Sequence, residues 1–424
     1  MSYSGNFSDA VGEVEYAYEN AKFFRHHMKQ HDLMPSDIKT IADFQKIPFT
    51  RKLHYRKNYP IGVLAKGFTL MDKHVMRFQS SGTSGERLNS AILSYDLARR
   101  QATVMSTNER FRELWAPGER PRICRYAPPN CSDVECGIGL SSMEERTLED
   151  GTLVLSVAHD LLATPERLIH QALDEIEAYN PHILVVDPTH LAFLIRRACE
   201  LGRDIHSNEK LHIVCGYTQL THVARRQIED YFGQDVPIGN MLGMSELGYL
   251  GFECHHGNLH INNEDFFIEF FNDDSPAPID EAGELVVTTI DDTLVPRIRY
   301  ATGDIYRLLS ESCECGSHLP RVMIEGRQSH VIHLSNGKLV TPTELDAQVG
   351  ACQGIDLYKL DQSSDGTIAF QYIPNEQFTE NMRADLEEAL RDCLQLEPSQ
   401  IAMVDYIACE RSGKFQSCIS RLGE

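Results

Sequence analysis

The stretch TPERLIHQALDEIEAYNPHILVV, from Thr164 to Val186, sets a helix directly before a strand and decides the fold class. Thr164-Pro165 has the chemistry of a cap followed by a first helical position, and Leu168, Ile169, Ala172, Leu173 and Ile176 then fall on one helical face. The apolar run Ile183 to Val186 reads as a short buried strand. Working outward, further strand-like runs occur at Leu153 to Val157 and Leu211 to Val214, with helical segments at 164–178, 189–201 and 219–232 between and after them. This rhythm predicts parallel strands joined by helical crossovers, an α/β fold.

On the N-terminal side, the first seventy residues read as helices and turns, with Pro35-Ser36 opening one helix and Phe49-Thr50-Arg51 leading into another. After residue 257 the pattern changes to alternating strand sequence, as in Asn258 to Ile261 and Gly283 to Val287, which predicts a smaller β-rich lobe. The last ninety or so residues read as a compact α+β unit. Its helix near 379–395 carries Met382, Leu386, Leu390 and Leu394 at four-residue steps, flanked by strands at 357–361, 367–373 and 400–408.

With 424 residues the chain exceeds what one core usually supports, so more than one domain is expected. Its 42% apolar content is ample for cores, and no apolar run approaches the roughly 20 residues that span a bilayer. A formal charge of −22 repels nucleic acid and anionic lipid, which argues against both as partners. Twelve cysteines behind a polar opening, Met1-Ser2-Tyr3-Ser4-Gly5-Asn6, point to reduced thiols and a cytoplasmic setting. Any anionic ligand must then be held locally. Gln79-Ser80-Ser81-Gly82-Thr83-Ser84-Gly85-Glu86 has the composition for that: glycines let successive N–H groups face one phosphate, and hydroxyls donate to its remaining oxygens.

Downstream lie Gly243-Met244-Ser245-Glu246, then Arg299-Tyr300-Ala301-Thr302-Gly303-Asp304, then Gly326-Arg327 with Asn336-Gly337-Lys338 and Pro342-Thr343-Glu344, and finally Gly413-Lys414. In this order, over roughly residues 75 to 415, the strings resemble the core motifs of the adenylate-forming superfamily of acyl-CoA synthetases, adenylation domains and luciferases. The resemblance is strongest to the phenylacetate-CoA ligase family, which shares the compact length, the lead-in Ile47-Pro48-Phe49-Thr50 and Asn58-Tyr59-Pro60-Ile61-Gly62, and Leu259-His260-Ile261 after the glutamate motif.

The resemblance implies a large N-terminal domain, residues 1–327, and a small mobile α+β lid, residues 328–424, swinging on a hinge just after Arg327. This chain has Gln328-Ser329 where many relatives have an acidic hinge residue. It implies attack of a carboxylate on the α-phosphorus of ATP, then transfer of the acyl group to coenzyme A. Ser81, Gly82, Thr83, Ser84 and Gly85 would hold the β- and γ-phosphates, and Glu246 would bind Mg²⁺. Asp304 would take the ribose hydroxyls, Arg327 the ribose or α-phosphate region and Tyr217 the adenine. Lys414 would bridge the substrate carboxylate and the α-phosphate, so Lys414, Glu246 and Thr83 are the expected catalytic residues. The Asn336-Gly337-Lys338 hairpin face would serve the second half-reaction.

A second constellation is Cys254-His255-His256-Gly257-Asn258-Leu259-His260 with Cys313-Glu314-Cys315-Gly316. Two soft ligands one residue apart before glycine form a tight knuckle, and one Cys and one His complete a tetrahedron suited to Zn²⁺. Cys254, His260, Cys313 and Cys315 are the expected ligands, with His255, His256 or His318 as replacements for His260. Four protein ligands leave no open position, so this zinc would be structural.

The acyl pocket is expected near Arg125-Tyr126, Gly216-Tyr217-Thr218 and Leu242 to Leu250. Ala127-Pro128-Pro129-Asn130-Cys131-Ser132-Asp133 replaces a glycine-rich aromatic stretch of the phenylacetate-CoA ligases, and Leu242 stands where they place a tyrosine. An aromatic or other small, mainly apolar carboxylic acid is therefore the expected substrate. Two other readings compete. In one, the acyl group passes to an amine, a carrier protein or a protein cysteine, for which Cys409 and Cys418 keep the idea open; in the other, the chain is a catalytically silent nucleotide-binding protein. The intact set Thr83, Glu246, Asp304, Arg327 and Lys414 argues against the latter.

Overall fold

A computed structural model describes residues 3–80, 87–115, 120–128, 141–205 and 208–422. These divide into two compact units, one built from Met1–Arg112 and Met241–Ile324, the other from Glu113–Asn240 and Glu325–Glu424. The chain thus enters the second unit twice.

In the second unit, parallel strands run in the order Leu153–Val154, Ile123–Tyr126, Ile183–Val186, His212–Cys215 and the start of Ile238–Met244. Helices Glu166–Tyr179, Pro188–Glu200 and His222–Phe232 lie among them in sequence, as the rhythm predicts. All five residues placed on the inner face of the first helix are buried, and Ile169, Ala172, Leu173 and Ile176 share a core with Leu184, Val186 and Ile213. The helix begins one residue late, at Glu166, because the Thr164 hydroxyl donates backward to the Leu161 carbonyl at 2.7 Å instead of capping. Asp187 caps the second helix through the N–H groups of Thr189 and His190, with Pro188 at its first position, and Thr221 caps the third.

Residues 325–424 have their own four-stranded sheet, in the order Ile401–Met403, Ile368–Pro374, Ile355–Gln362 and Cys418–Ser420. Helices Pro342–Gly350 and Glu380–Leu394 supply Leu345, Val349, Leu386, Leu390 and Leu394 to its core. Met382, expected on that face, is only half-buried. The strand expected over 400–408 stops at Met403.

In the first unit the strands pair antiparallel, in the order Tyr3–Ser4, Phe266–Asn272, Ala282–Thr289, Tyr300–Leu308, Arg321–Arg327, Leu259–Ile261, Gly248–Glu253 and the end of Ile238–Met244. Phe266 to Phe271 are all buried because both faces of that strand are covered. Phe267 packs with Phe7 and Phe44 from the N-terminal helices, whereas Phe266, Ile268 and Phe270 face a second core with Leu285 and Val287. Pro35–Asp37 forms only a single 3₁₀ turn, while Lys52–Asn58 is the expected helix.

Candidate active site and metal centre

In the second unit the expected catalytic lysine sits on a short hairpin near the C-terminus. Gly413 N–H donates to Glu410 O at 2.8 Å, Glu410 N–H to Lys414 O at 2.9 Å, and Gly413 adopts φ 79°, a conformation that favours glycine. Buried Phe415 anchors the hairpin against Leu357 and Ile407, and Lys359 Nζ reaches Glu410 at 2.7 Å and Ala408 O at 3.2 Å. Lys414 Nζ then donates to the Tyr217 carbonyl at 2.8 Å. Tyr217 follows strand His212–Cys215 and holds φ at 68°, a strained setting for a residue with a side chain.

That carbonyl lies at the carboxyl ends of the parallel strands, where open α/β sheets bind their ligands. Beside it, Thr218 Oγ1 donates to Asp187 Oδ2 at 2.8 Å, and His190 Nδ1 stands 3.1 Å from Asp187 Oδ1. Burial pushes the Asp187 carboxyl up, but His190 and the Thr218 hydroxyl outweigh it and hold it below the usual carboxylate value. Asp187 was missed in the sequence. The signal that finds it is an acid directly after a strand and directly before Pro188, the pattern of a capped crossover helix.

Also in the second unit, Glu325 to Asp356 fastens onto residues 196–227. Gln219 donates to Thr343 at 3.3 Å, and Arg226 donates to Cys352 O at 3.1 Å and Ile355 O at 2.6 Å. The His222 ring stands 2.7 Å from Asp346 Oδ2, and buried Asp346 also accepts from the His222 N–H and, at 2.7 Å, from Tyr358. The bond to Asp346 raises the His222 pKa. Arg327 ends its strand exposed, after Gly326, whose φ of 121° and close approach to Pro342 leave no room for a Cβ. Gln328–His330, the expected hinge region, is a 3₁₀ turn. Asn336-Gly337-Lys338 tips the hairpin of Ile332–His333 and Leu339–Val340.

In the first unit Glu246 sits in the tight connection between Ile238–Met244 and Gly248–Glu253, buried to 7% exposure. Ser245 Oγ donates to one carboxylate oxygen at 3.0 Å, and Tyr300 OH approaches the other at 3.4 Å. Burial first, and then the Glu246 charge, push the Tyr300 phenol well above its usual value, so it stays a donor. Asp304 is half-buried on strand Tyr300–Leu308, with its N–H bonded to Thr302 Oγ1 at 3.1 Å. Arg299 is a structural cation: it pairs with Glu269 at 3.0 Å and donates to Gln45 O and Ile47 O. The expected phosphate residues Ser81, Gly82, Thr83, Ser84 and Gly85 lie outside the described residues, as do Pro129 to Asp133. Their stem is described. Val75–Gln79 pairs antiparallel with Asn89–Leu93, and Ser80 closes the ladder by exchanging hydrogen bonds of 2.8 Å with Leu88. Leu242 is buried in the first unit's core.

Cys254, His260, Cys313 and Cys315 also meet in the first unit, their ligand atoms all within 4.8 Å of one another. Cys254 and Cys313 sulfurs are 3.7 Å apart, and Cys315 Sγ is 3.3 Å from His260 Nε2. The other ring nitrogen, Nδ1, lies 2.7 Å from Leu319 O, which fixes the proton there and leaves Nε2 as the nitrogen that could bind a metal. Asn258 donates to Cys313 and the Ser317 N–H to Cys315, each at 3.4 Å, as partners of thiolates would. Of the other histidines considered, His318 pairs with Glu264, and the exposed rings of His255 and His256 lie 4.4 Å apart, tilted to each other.

No family model matches the chain. It is 28% identical over 342 residues to a phenylacetate-coenzyme A ligase of Thermus thermophilus, covering 79% of this chain and 72% of that one. It is 25% identical over 397 residues to a phenylacetate-coenzyme A ligase of Aromatoleum evansii, covering 90% and 84%. Among solved structures, a 2-hydroxyisobutyryl-CoA ligase in the postadenylation state with 2-HIB-AMP superposes with a TM-score of 0.72 at 15% identity, over 99% of this chain and 91% of that one. The anthranilate CoA ligase AuaEII with anthranoyl-AMP gives 0.53 at 14% identity, over 80% and 65%.

Proposed function

We propose that this chain, which is similar to the phenylacetate-coenzyme A ligases, is an adenylate-forming enzyme that activates an aromatic or other small, mainly apolar carboxylic acid as its acyl-adenylate and passes the acyl group to coenzyme A. The observation that carries this reading is Lys414, a residue near the C-terminus whose ammonium is held 2.8 Å from the Tyr217 carbonyl at the carboxyl ends of the parallel strands. A binding module needs no such cation. Adenylation does, because negative charge gathers on the α-phosphoryl oxygens as the carboxylate attacks and pyrophosphate leaves.

In this reading Lys414 bridges the substrate carboxylate and the α-phosphate, and Arg327 binds the ribose or α-phosphate region. Asp304 accepts from the ribose hydroxyls, Tyr217 contacts adenine, and Ser81, Gly82, Thr83, Ser84 and Gly85 hold the β- and γ-phosphates. Glu246 would hold Mg²⁺, which when bound neutralises phosphate charge; a buried carboxylate oriented by Ser245 and Tyr300 suits that duty. Residues 328–424 act as the lid, moving after the first half-reaction to offer the Asn336-Gly337-Lys338 hairpin to coenzyme A.

Transfer to a cysteine of this chain is disfavoured. Burial pushes the Cys409 thiol up to about 11, and Cys418 is buried with its thiol raised further, so neither is a ready nucleophile. The cluster of Cys254, His260, Cys313 and Cys315 fits Zn²⁺ in donor set, convergence and supporting hydrogen bonds, and its four donors make the role structural. Among the described residues no helix is long and apolar enough to cross a membrane. Pyrophosphate release with and without coenzyme A, across aryl and short-chain acids, tests the whole reading. Release without any acyl-CoA product would move the acceptor to an amine or a carrier protein, and no release with any acid would remove the activity.

A further inference from the structure

Helix His222–Phe232 opens on a residue whose N–H has no acceptor inside the helix, and its partner comes from the other length of chain in the same unit. Asp346, on helix Pro342–Gly350, accepts that N–H at 2.9 Å, and the same oxygen stands 2.7 Å from His222 Nδ1. A carboxylate placed there also meets the positive end of the helix dipole. Tyr358 donates to its other oxygen at 2.7 Å, and Asp346 is only 2% exposed, so the carboxylate is fixed. The His222 ring is 59% exposed and open to protons from solution. Gly350 completes the fit, because a Cβ there would stand 2.5 Å from His222 Cβ. Arg226 donates across the same seam to the Cys352 and Ile355 carbonyls, Arg196 to the Asp356 carbonyl and Gln219 to Thr343; none of these donors loses its proton near neutral pH. The charged groups facing the His222 ring are Asp346 across the seam and Arg225 on its own helix, and the bond to Asp346 prevails, raising the pKa above 6.5. At the far end of the same two lengths of chain, Leu161 N–H donates to Cys409 Sγ at 3.4 Å, on the approach to Lys414 and its bond to Tyr217 O.

We infer that Asp346 and His222 are positioning residues for Lys414: the carboxylate, docked on a helix N-terminus and a protonated imidazole, seats residues 325–424 on residues 113–240 and so keeps the lysine at the Tyr217 carbonyl. The ring bond is charge-assisted while His222 carries its second proton and weaker once that proton is gone. His222 holds the proton better seated than released. Seating is therefore favoured in full below pH 6.5, and the advantage is lost as pH rises through the raised value. The inference rests on the adenylation reading for what Lys414 does, and adds to it a proton-sensitive seat that must open before the lid moves on to acyl transfer.

Hydrogen exchange on the full-length protein without substrates tests the seat. The His222 and Leu161 N–H groups both donate to atoms of residues 325–424, so peptides spanning 219–224 and 158–163 report its two ends. Corrected for intrinsic rates, exchange at both should rise together by about 3- to 10-fold between pH 6 and 8.5 in the wild type. His222→Gln keeps the backbone N–H and removes the titrating ring; its exchange should lie at the higher level throughout and stay flat with pH. Gly350→Ala adds one methyl against His222 and should raise exchange at both ends at every pH. A pH response confined to 219–224 would overturn the inference, since the pair would then be only a local cap of its helix. A response that persists in His222→Gln would overturn it too. In single turnovers, scored per folded molecule, Asp346→Asn should slow adenylate formation by about 10-fold and largely spare thioester formation from preformed adenylate, whereas equal loss in both steps would count against a positioning role. If no acid gives pyrophosphate, the adenylation reading fails by itself, and the exchange data still decide whether the seat exists.

Discussion

Glu13 offers the most quantitative check on the structure. It is only 4% exposed on helix Phe7–Asn20, where Oε1 accepts from the Thr289 hydroxyl at 2.8 Å and from the Asp292 N–H at 3.3 Å. Burial first, and the nearby Asp292 charge second, raise its pKa from 4.5 to about 8. A raised folded pKa means that the native state holds a proton the unfolded chain gives up. The associated stability is therefore complete below pH 4.5 and is lost as pH rises through about 8. At about 1.4 kcal/mol per pH unit, this group alone accounts for a loss of roughly 2 to 3 kcal/mol between pH 5.5 and 7.5. Glu13→Gln keeps the acceptor oxygen and removes the titration. The opening free energy of the 7–20 helix amides, measured by native-state hydrogen exchange and corrected for intrinsic rates, should thus favour the variant by a margin that grows about 2 kcal/mol over that range. A margin that stays flat with pH would refute the argument, since it would mean that Glu13 is ionised in the folded protein.

Three further outcomes concern the site. Lys414→Ala should lower adenylate formation by a factor on the order of 10² or more while largely sparing thioester formation from preformed adenylate; equal loss in both steps would remove its assigned role. Freshly purified, unchelated protein should contain about one zinc per chain, and Cys313→Ser should cost stability more than turnover per folded molecule, whereas metal analysis finding no zinc would end that proposal. Glu246→Gln should raise the Mg²⁺ concentration that activity requires, whereas Gly82→Val should block ATP at every Mg²⁺ concentration; the same response in both would contradict the division between metal and phosphate binding.

Periodicity was enough to read the crossover helices of the second unit, because their inner faces repeat over several turns and two of the three open with a capping side chain, Asp187 and Thr221. It erred where a local contact competes with the pattern, as at Thr164, whose hydroxyl turns back to Leu161, or where a strand-like run lacks a continuing partner, as beyond Met403. The convergence of Cys254, His260, Cys313 and Cys315 was legible because these residue types are few and closely spaced, and His260 stands apart from its rivals through Cys315 and the Leu319 carbonyl, contacts 55 and 59 residues away. Nothing in the spacing revealed the Tyr217 carbonyl as the seat of Lys414, or the bond from the Thr218 hydroxyl to Asp187. Those depend on which strands neighbour one another, and local sequence does not encode that.

The second unit is made from two lengths of chain, Glu113–Asn240 and Glu325–Glu424, with 84 residues of another unit synthesised between them. The Lys414–Tyr217 contact closes across 197 residues. During translation the parallel strands must therefore persist without their second half until residues 325–424 have been made, exposing the surface that those residues later cover. This stretch of synthesis is when the unfinished unit is most open to misassembly.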